Sequence, residues 1–186
     1  YKRKRGIIMD RKTICIYGSF SPYVSEEKLK PYYDMGKKLG KKYDLIYGGG
    51  ADSTLGYMAR GMHDGGAYIT GVYPKAFKDM NVFKGCDKEI VCDSMAERKG
   101  HFESEADVFI VLPGGVGTMD ELFEAIVLIE KYMIEGKVII FNHNGFYDTL
   151  LKFMDEMKEQ GMFHCDLSRV YSVANTFEDI EEMIVK

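Results

Sequence analysis

Three observations predict an α/β fold of the Rossmann-like, doubly wound kind, with a mainly parallel sheet and helices on both faces. Short apolar runs of strand length alternate with helical patterns along the chain. Several of these runs are continuous, as in strands covered on both faces. Glycines follow three of them, at the strand ends where open α/β sheets bind ligands.

Taken in order, Thr13–Tyr17 (TICIY) is the first strand and runs into Gly18. A helix follows over Tyr32–Lys41, with Pro31 in its first turn, where a missing N–H costs nothing. The stretch from Ser25 either belongs to it or precedes it. Asp44–Tyr47 (DLIY) leads into Gly48-Gly49-Gly50 and a helix over Thr54–His63. Ala67–Val72 (AYITGV) is the third strand, and Ile90–Cys92 adds a short one. Ser94–Glu105 is helical; Asp93 or Ser94 caps it, and Ser94-x-x-Glu97 is a capping box. Val108–Leu112 (VFIVL) then meets a glycine loop and a helix over Met119–Ile134. Val138–Phe141 (VIIF) precedes a helix over Tyr147–Gln160, which Gly161 ends as a C-terminal cap. Val170–Val173 (VYSV) and a helix over Phe177–Val185 complete the pattern.

The 186 residues suit one domain, and no linker, repeat or low-complexity tract interrupts them. Residues 1–11 read as a basic arm and 12–186 as a single domain. The block Lys2-Arg3-Lys4-Arg5 is a solvated end in this reading, and a net charge of −4 gives no global argument for nucleic acid or membrane. No apolar stretch approaches the ~18–20 residues of a membrane span, and no secretory signal is seen. Cys15, Cys86, Cys92 and Cys165 form no C-x-x-C pair, and His63, His101, His143 and His164 are scattered. The expectation is a reduced, cytoplasmic protein with neither a disulfide framework nor a metal site.

The chemistry concentrates in LPGGVGTMDE, Leu112–Glu121. Glycines let the backbone turn sharply and approach a ligand, and a helix starts just beyond them. Its first N–H groups lack internal partners, so loop and helix start together make an anion site, with phosphate the commonest guest. Thr118 can add a hydroxyl donor. Thr118-x-x-Glu121 is equally a capping box, and the stretch alone does not choose between cap and chemistry. No glycine loop carries Gly-Lys-Ser/Thr, and none matches G-x-G-x-x-G, which points to a mononucleotide or sugar phosphate. In MAERKGHF, Met95–Phe102, helical spacing puts Arg98 on the side of Met95 and Phe102. Arg98 either snorkels to water along that stripe or stands in a pocket wall.

MAERKGHFESEADVFIVLPGGVGTMDE resembles the LOG ("Lonely Guy") family of nucleotide phosphoribohydrolases, many once labelled possible lysine decarboxylases. The likeness lies in Arg98-Lys99 on one helix, a short strand, and Pro113-Gly114-Gly115-Val116-Gly117-Thr118-Met119-Asp120-Glu121. It extends more softly through Tyr47–Phe77 and Phe141–Phe163. Two departures stand out. Where the family often reads GGG-x-x-G-L-M-G, Ser53 replaces a glycine and Thr54-Leu55 replaces Leu-Met. After the catalytic helix the family often carries a Trp, and this chain has none.

The resemblance implies hydrolysis of the N-glycosidic bond of AMP or an N6-substituted AMP, a cytokinin riboside 5′-monophosphate, to free base and ribose 5-phosphate. It implies Arg98 and Glu121 as catalytic residues, with Asp120 and Glu124 ranked below. Gly18, Ser19, Gly49, Gly50, Met95, Lys99, Gly114, Gly115, Gly117 and Thr118 would bind the nucleotide. No metal or other cofactor is required, and the assembly would be a homodimer or a higher homo-oligomer. The apolar helix Leu122–Ile134 is by itself either a core helix or an interface helix. Rival readings are a non-catalytic nucleotide-binding or carrier module, a pyridoxal-phosphate decarboxylase and a nicotinamide oxidoreductase.

Overall fold

A computed structural model of the chain describes residues 11–19, 21, 23–77, 81–163 and 165–185. The basic block at residues 2–5 and His164 lie outside the described residues.

Among the described residues seven strands form one sheet: β1 (Thr13–Tyr17), β2 (Asp44–Tyr47), β3 (Ile69–Pro74), β4 (Lys88–Cys92), β5 (Val108–Val111), β6 (Lys137–Phe141) and β7 (Tyr171–Ala174). Their order is β4-β3-β2-β1-β5-β6-β7. Every pairing is parallel, so the sheet is wholly rather than mainly so. The reason is visible in β5 and β6, whose Phe109, Ile110, Ile139 and Ile140 are fully buried. Such strands need cover on both faces, which helical crossovers supply. The order reverses between β1 and β5, and that switch point opens a crevice at the carboxyl edge.

Six α-helices among the described residues provide the cover. α1 (Glu26–Leu39), α2 (Ser53–Gly65) and α6 (Phe177–Val185) bury Leu29, Met58 and Ile180 in the core on one face. α3 (Met95–Glu105), α4 (Val116–Glu130) and α5 (Asp148–Glu159) bury Phe102, Leu122 and Met154 on the other. Arg11, at the end of the basic arm, donates to the Gly40 carbonyl at 2.7 Å and so fastens the entry to β1.

Several expectations are corrected. Pro31 sits inside α1, not in its first turn, because the helix already starts after Ser25. Glu26 and Glu27 suit that positive helix end, and burial of Leu29 and Tyr32 on either side of Pro31 outweighs one lost hydrogen bond. α4 begins three residues early, with Gly115 as its N-cap in extended backbone. Thr118 is therefore a buried helical residue and the Thr118–Glu121 capping box does not form. α4 also stops at Glu130, just ahead of Tyr132, whose φ is +55°. Finally, Ile90–Cys92 is part of a full edge strand, and β3 is shifted two residues beyond the expected run. Gly161 does adopt the left-handed conformation expected of a cap.

α1 and α2 meet through glycines. A Cβ on Gly61 would lie 2.1 Å from the Tyr33 carbonyl oxygen, and one on Gly36 would lie 2.3 Å from that of Met58. The two backbones touch directly, which sets how α2 delivers its first residues to the crevice. Gly61→Ala gains ~1 kcal/mol of helix propensity. It also forces a backbone clash that no rotamer relieves, at ~1–3 kcal/mol of overpacking. The expected net result is a lower urea midpoint; an unchanged or raised midpoint would show slack between the helices.

Candidate active site

The crevice at the carboxyl edge is built by loops after β1, β2 and β5, with α3 delivering a cation from the second helical layer. Ser94 starts α3 as the sequence predicts: the Glu97 amide donates to Ser94 Oγ at 3.1 Å. The reciprocal bond is shifted by one, from the Asp93 amide to Glu97 Oε2 at 2.7 Å. One turn on, Arg98 is held on three sides. Its Nη1 donates to Glu121 Oε1 at 2.7 Å and its Nε to the Val72 carbonyl at 3.2 Å. Its guanidinium lies over the Phe102 ring, 4.7 Å from the centroid. Only 11% of the Arg98 side chain and 9% of the Glu121 side chain are exposed, so this is a buried pair in a pocket wall rather than a snorkelling cation. Burial raises the Glu121 carboxyl above its ordinary range, and the Arg98 charge pulls against that rise.

Gly48 makes room for the pair. A Cβ there would sit 2.3 Å from Arg98 Nη2. The site set drawn from the sequence omitted Gly48, although the YGGG run contained it. The loop beyond it is tied down by an antiparallel bridge between Gly50 and Val82. Together these elements enclose a cavity of about 260 Å³ lined by Gly48, Gly50, Tyr73, Phe77, Asn81 and Arg98. A second cavity of about 620 Å³ is lined by Ser19, Tyr32, Thr54, Gly114, His143 and Asn144.

The start of α2 stands between the two cavities. Thr54 lines the larger and Leu55 the smaller. Thr54 Oγ1 accepts from the Ser19 amide at 3.2 Å and lies 3.4 Å from the Pro113 carbonyl, so one hydroxyl joins three loops. Sequence reading met Thr54 only as a departure from the family pattern and missed this role. Ser53, the other departure, has φ +57°, in the left-handed region that favours glycine. It is 2% exposed and its hydroxyl has no hydrogen-bond partner among the described residues. That backbone costs on the order of 1–2 kcal/mol relative to glycine.

The other expected site residues divide by position. Gly114 lines the larger cavity, and the Thr118 side chain is buried against it: a Cβ on Gly114 would lie 2.1 Å from Thr118 Oγ1. Gly115 and Gly117 are exposed at the start of α4. There the first intrahelical bond runs from the Met119 amide to the Gly115 carbonyl, leaving the amides of Val116, Gly117 and Thr118 ahead of it. Gly18 packs against Thr54 and Leu112. Gly49, at φ +77°, abuts Tyr73. Met95 is half-exposed at the first turn of α3. Lys99 is engaged elsewhere, in ion pairs with Asp120 at 3.0 Å and with Glu124. Burial lowers its pKa, but Glu124 and Asp120 outweigh that and the net shift is upward.

Comparison with known proteins gives the family and the fold. The family described as possible lysine decarboxylase matches residues 55–184. The cytokinin riboside 5′-monophosphate phosphoribohydrolase LOG of Oryza sativa subsp. japonica is 34% identical over 176 residues, 91% of this chain and 71% of that protein. The cytokinin riboside 5′-monophosphate phosphoribohydrolase LOG4 of Arabidopsis thaliana is 32% identical over 175 residues, 90% of this chain and 79% of that protein. Among solved structures, the molybdenum cofactor carrier protein of Chlamydomonas reinhardtii superposes with a TM-score of 0.69 at 18% identity, covering 95% of this chain and 99% of that one. The molybdenum cofactor binding protein of Rippkaea orientalis gives 0.67 at 19% identity, covering 95% and 97%. Likeness at that identity speaks for the fold alone.

The buried pair makes a stability prediction. Because burial raises Glu121, the folded chain holds that proton more tightly than the unfolded chain. The associated stability is present at low pH and is lost as pH rises through the folded pKa. Arg98 limits the loss. Arg98→Met should therefore destabilise by about 3–5 kcal/mol at neutral pH, where Glu121 is left charged and unpaired. The deficit should shrink in acid and in the Arg98→Met/Glu121→Gln double variant. Urea melts across pH check this; a deficit independent of pH would mean that lost packing on Phe102, not charge, is responsible.

Proposed function

The chain belongs to the LOG family, the one described as possible lysine decarboxylase, and from that premise we propose that it hydrolyses the N-glycosidic bond of nucleoside 5′-monophosphates. The substrate is AMP or an N6-substituted AMP, and the products are free base and ribose 5-phosphate. The observation that carries this reading is the buried Arg98–Glu121 pair at the sheet's switch point, beside a glycine loop that opens a helix.

In this reading the phosphate meets the amides at the start of α4, around Gly114, Gly115 and Gly117, with Ser19 on the opposite wall. Binding there acts far from the reacting carbon and holds the sugar in a productive pose. Cleavage of the C1′–N bond develops positive charge on the ribose. Glu121 faces that charge as a carboxylate and positions the water, whose hydroxyl goes to C1′ while a proton goes to the departing base nitrogen. Arg98 orients Glu121 and keeps it ionised against the effect of burial. Tyr73 and Phe77, which line the smaller cavity with Arg98, are suited to a base. No helix among the described residues is long and apolar enough to cross a membrane, and the free cysteines fit a reducing cytoplasm. Val116, Val127, Tyr132 and Met133 are exposed along α4 and just beyond it, and we assign this surface to a homodimer contact.

Chromatography of reactions with AMP, N6-isopentenyl AMP and the matching nucleosides tests the proposal. Base should be released from the monophosphates and not from the nucleosides. Glu121→Gln should reduce release by at least about 100-fold while the fold is kept, since the Gln carbonyl oxygen can still accept from Arg98. AMP that binds without release would instead assign the chain to a carrier role.

A further inference from the structure

Cys92, Glu97 and His101 lie outside the crevice and take no part in the chemistry above. Their ligand atoms, a sulfur, a carboxylate oxygen and an imidazole nitrogen, all lie within 4.8 Å of one another. We propose that these three residues bind a divalent zinc ion, which fastens the end of the edge strand to the helix that carries Arg98.

Two elements create the cluster. Cys92 is the last residue of β4, at the edge of the sheet, and is fully buried. Glu97 and His101 follow on α3 at a spacing of four, which places them on one face of the helix. Each side chain is already oriented. One Glu97 oxygen accepts from the Asp93 amide at 2.7 Å, which fixes the carboxylate and leaves its second oxygen to coordinate. His101 Nδ1 lies 3.4 Å from Glu105 Oε1. A carboxylate that closes onto this nitrogen when the metal binds would hold the proton on Nδ1 and leave the lone pair on Nε2, the outer-shell arrangement found around metal-binding histidines.

The donor set selects the metal. Calcium and magnesium require oxygen ligands. A thiolate, an imidazole and a carboxylate together suit zinc, with water in the fourth tetrahedral position. Bonds of ~2.0–2.3 Å to a tetrahedral centre put ligand atoms roughly 3.5 Å apart, so the cluster closes by small torsional adjustments of the His101 and Glu97 side chains that keep the Asp93 bond. Binding releases the Cys92 thiol proton to solvent. One of its ligands would be Glu97, the residue before Arg98, and it would pin a strand edge that has no further neighbour among the described residues.

The test uses the whole chain, stripped with chelator and then titrated with Co²⁺ and Zn²⁺. One Co²⁺ per chain should bind with a sulfur-to-metal charge-transfer band that Zn²⁺ abolishes, and Zn²⁺ should raise the melting temperature. Cys92→Ser and His101→Gln should each weaken Co²⁺ binding at least about 10-fold, and Glu105→Gln by about 10–100-fold. Cys165→Ser should leave binding unchanged. His101→Gln changes a half-buried surface residue, so it stays informative if Cys92→Ser folds poorly. No retained Co²⁺ after dialysis, or a band that survives Cys92→Ser and His101→Gln, would overturn the proposal. These readouts need no substrate and are independent of the phosphoribohydrolase assignment.

Discussion

A carboxylate with one-tenth of its side chain exposed keeps its charge only beside a cation that is itself well held, and the crevice is organised around that requirement. Arg98 is fixed by the Glu121 carboxylate, the Val72 carbonyl and the Phe102 ring, each from a different element. Removing any one of these would leave a charge in a low-dielectric setting with too few partners. Gly48 belongs to the same arrangement, because any side chain there would displace the guanidinium. The residues able to do chemistry are thus the ones whose placement is most constrained by packing.

The sheet and its helices deliver those parts from opposite sides. The central strands are buried on both faces, so helices must cover both, and the reversal between β1 and β5 leaves the crevice between the two layers. α3 and α4 bring the ion pair from one layer. α2, pressed backbone to backbone against α1, brings Thr54 from the other. Thr54 then joins the β1 and β5 loops through a single hydroxyl. Ser53 beside it is the one residue of this set that is held against its own backbone preference.

Most of the fold was legible from residue order. Continuous apolar runs gave the strands, and Ser94-x-x-Glu97 gave the start of α3. Two of the errors share a cause. Pro31 and Thr118 each fit a local rule about helix starts, but burial of Leu29 and Tyr32 in one case, and of Thr118 itself in the other, placed the helix start elsewhere. Local capping preferences are worth about 1 kcal/mol, and burial of large side chains exceeds that.

The sequence by itself determined the α/β architecture and the glycine loop ahead of α4, because periodicity and glycine placement are local properties of the chain, and its resemblance to a family motif marked Arg98 and Glu121 as a candidate pair. Only the tertiary structure decided that Glu121 turns inward to Arg98 rather than back to Thr118. It alone showed that Gly48 yields space to a guanidinium, that Lys99 is occupied by Asp120 and Glu124, and that Cys92 stands beside Glu97 and His101. Each of these depends on which helix is packed over which strand, a relation between residues far apart in the chain or across a change of element, and residue spacing alone does not encode it.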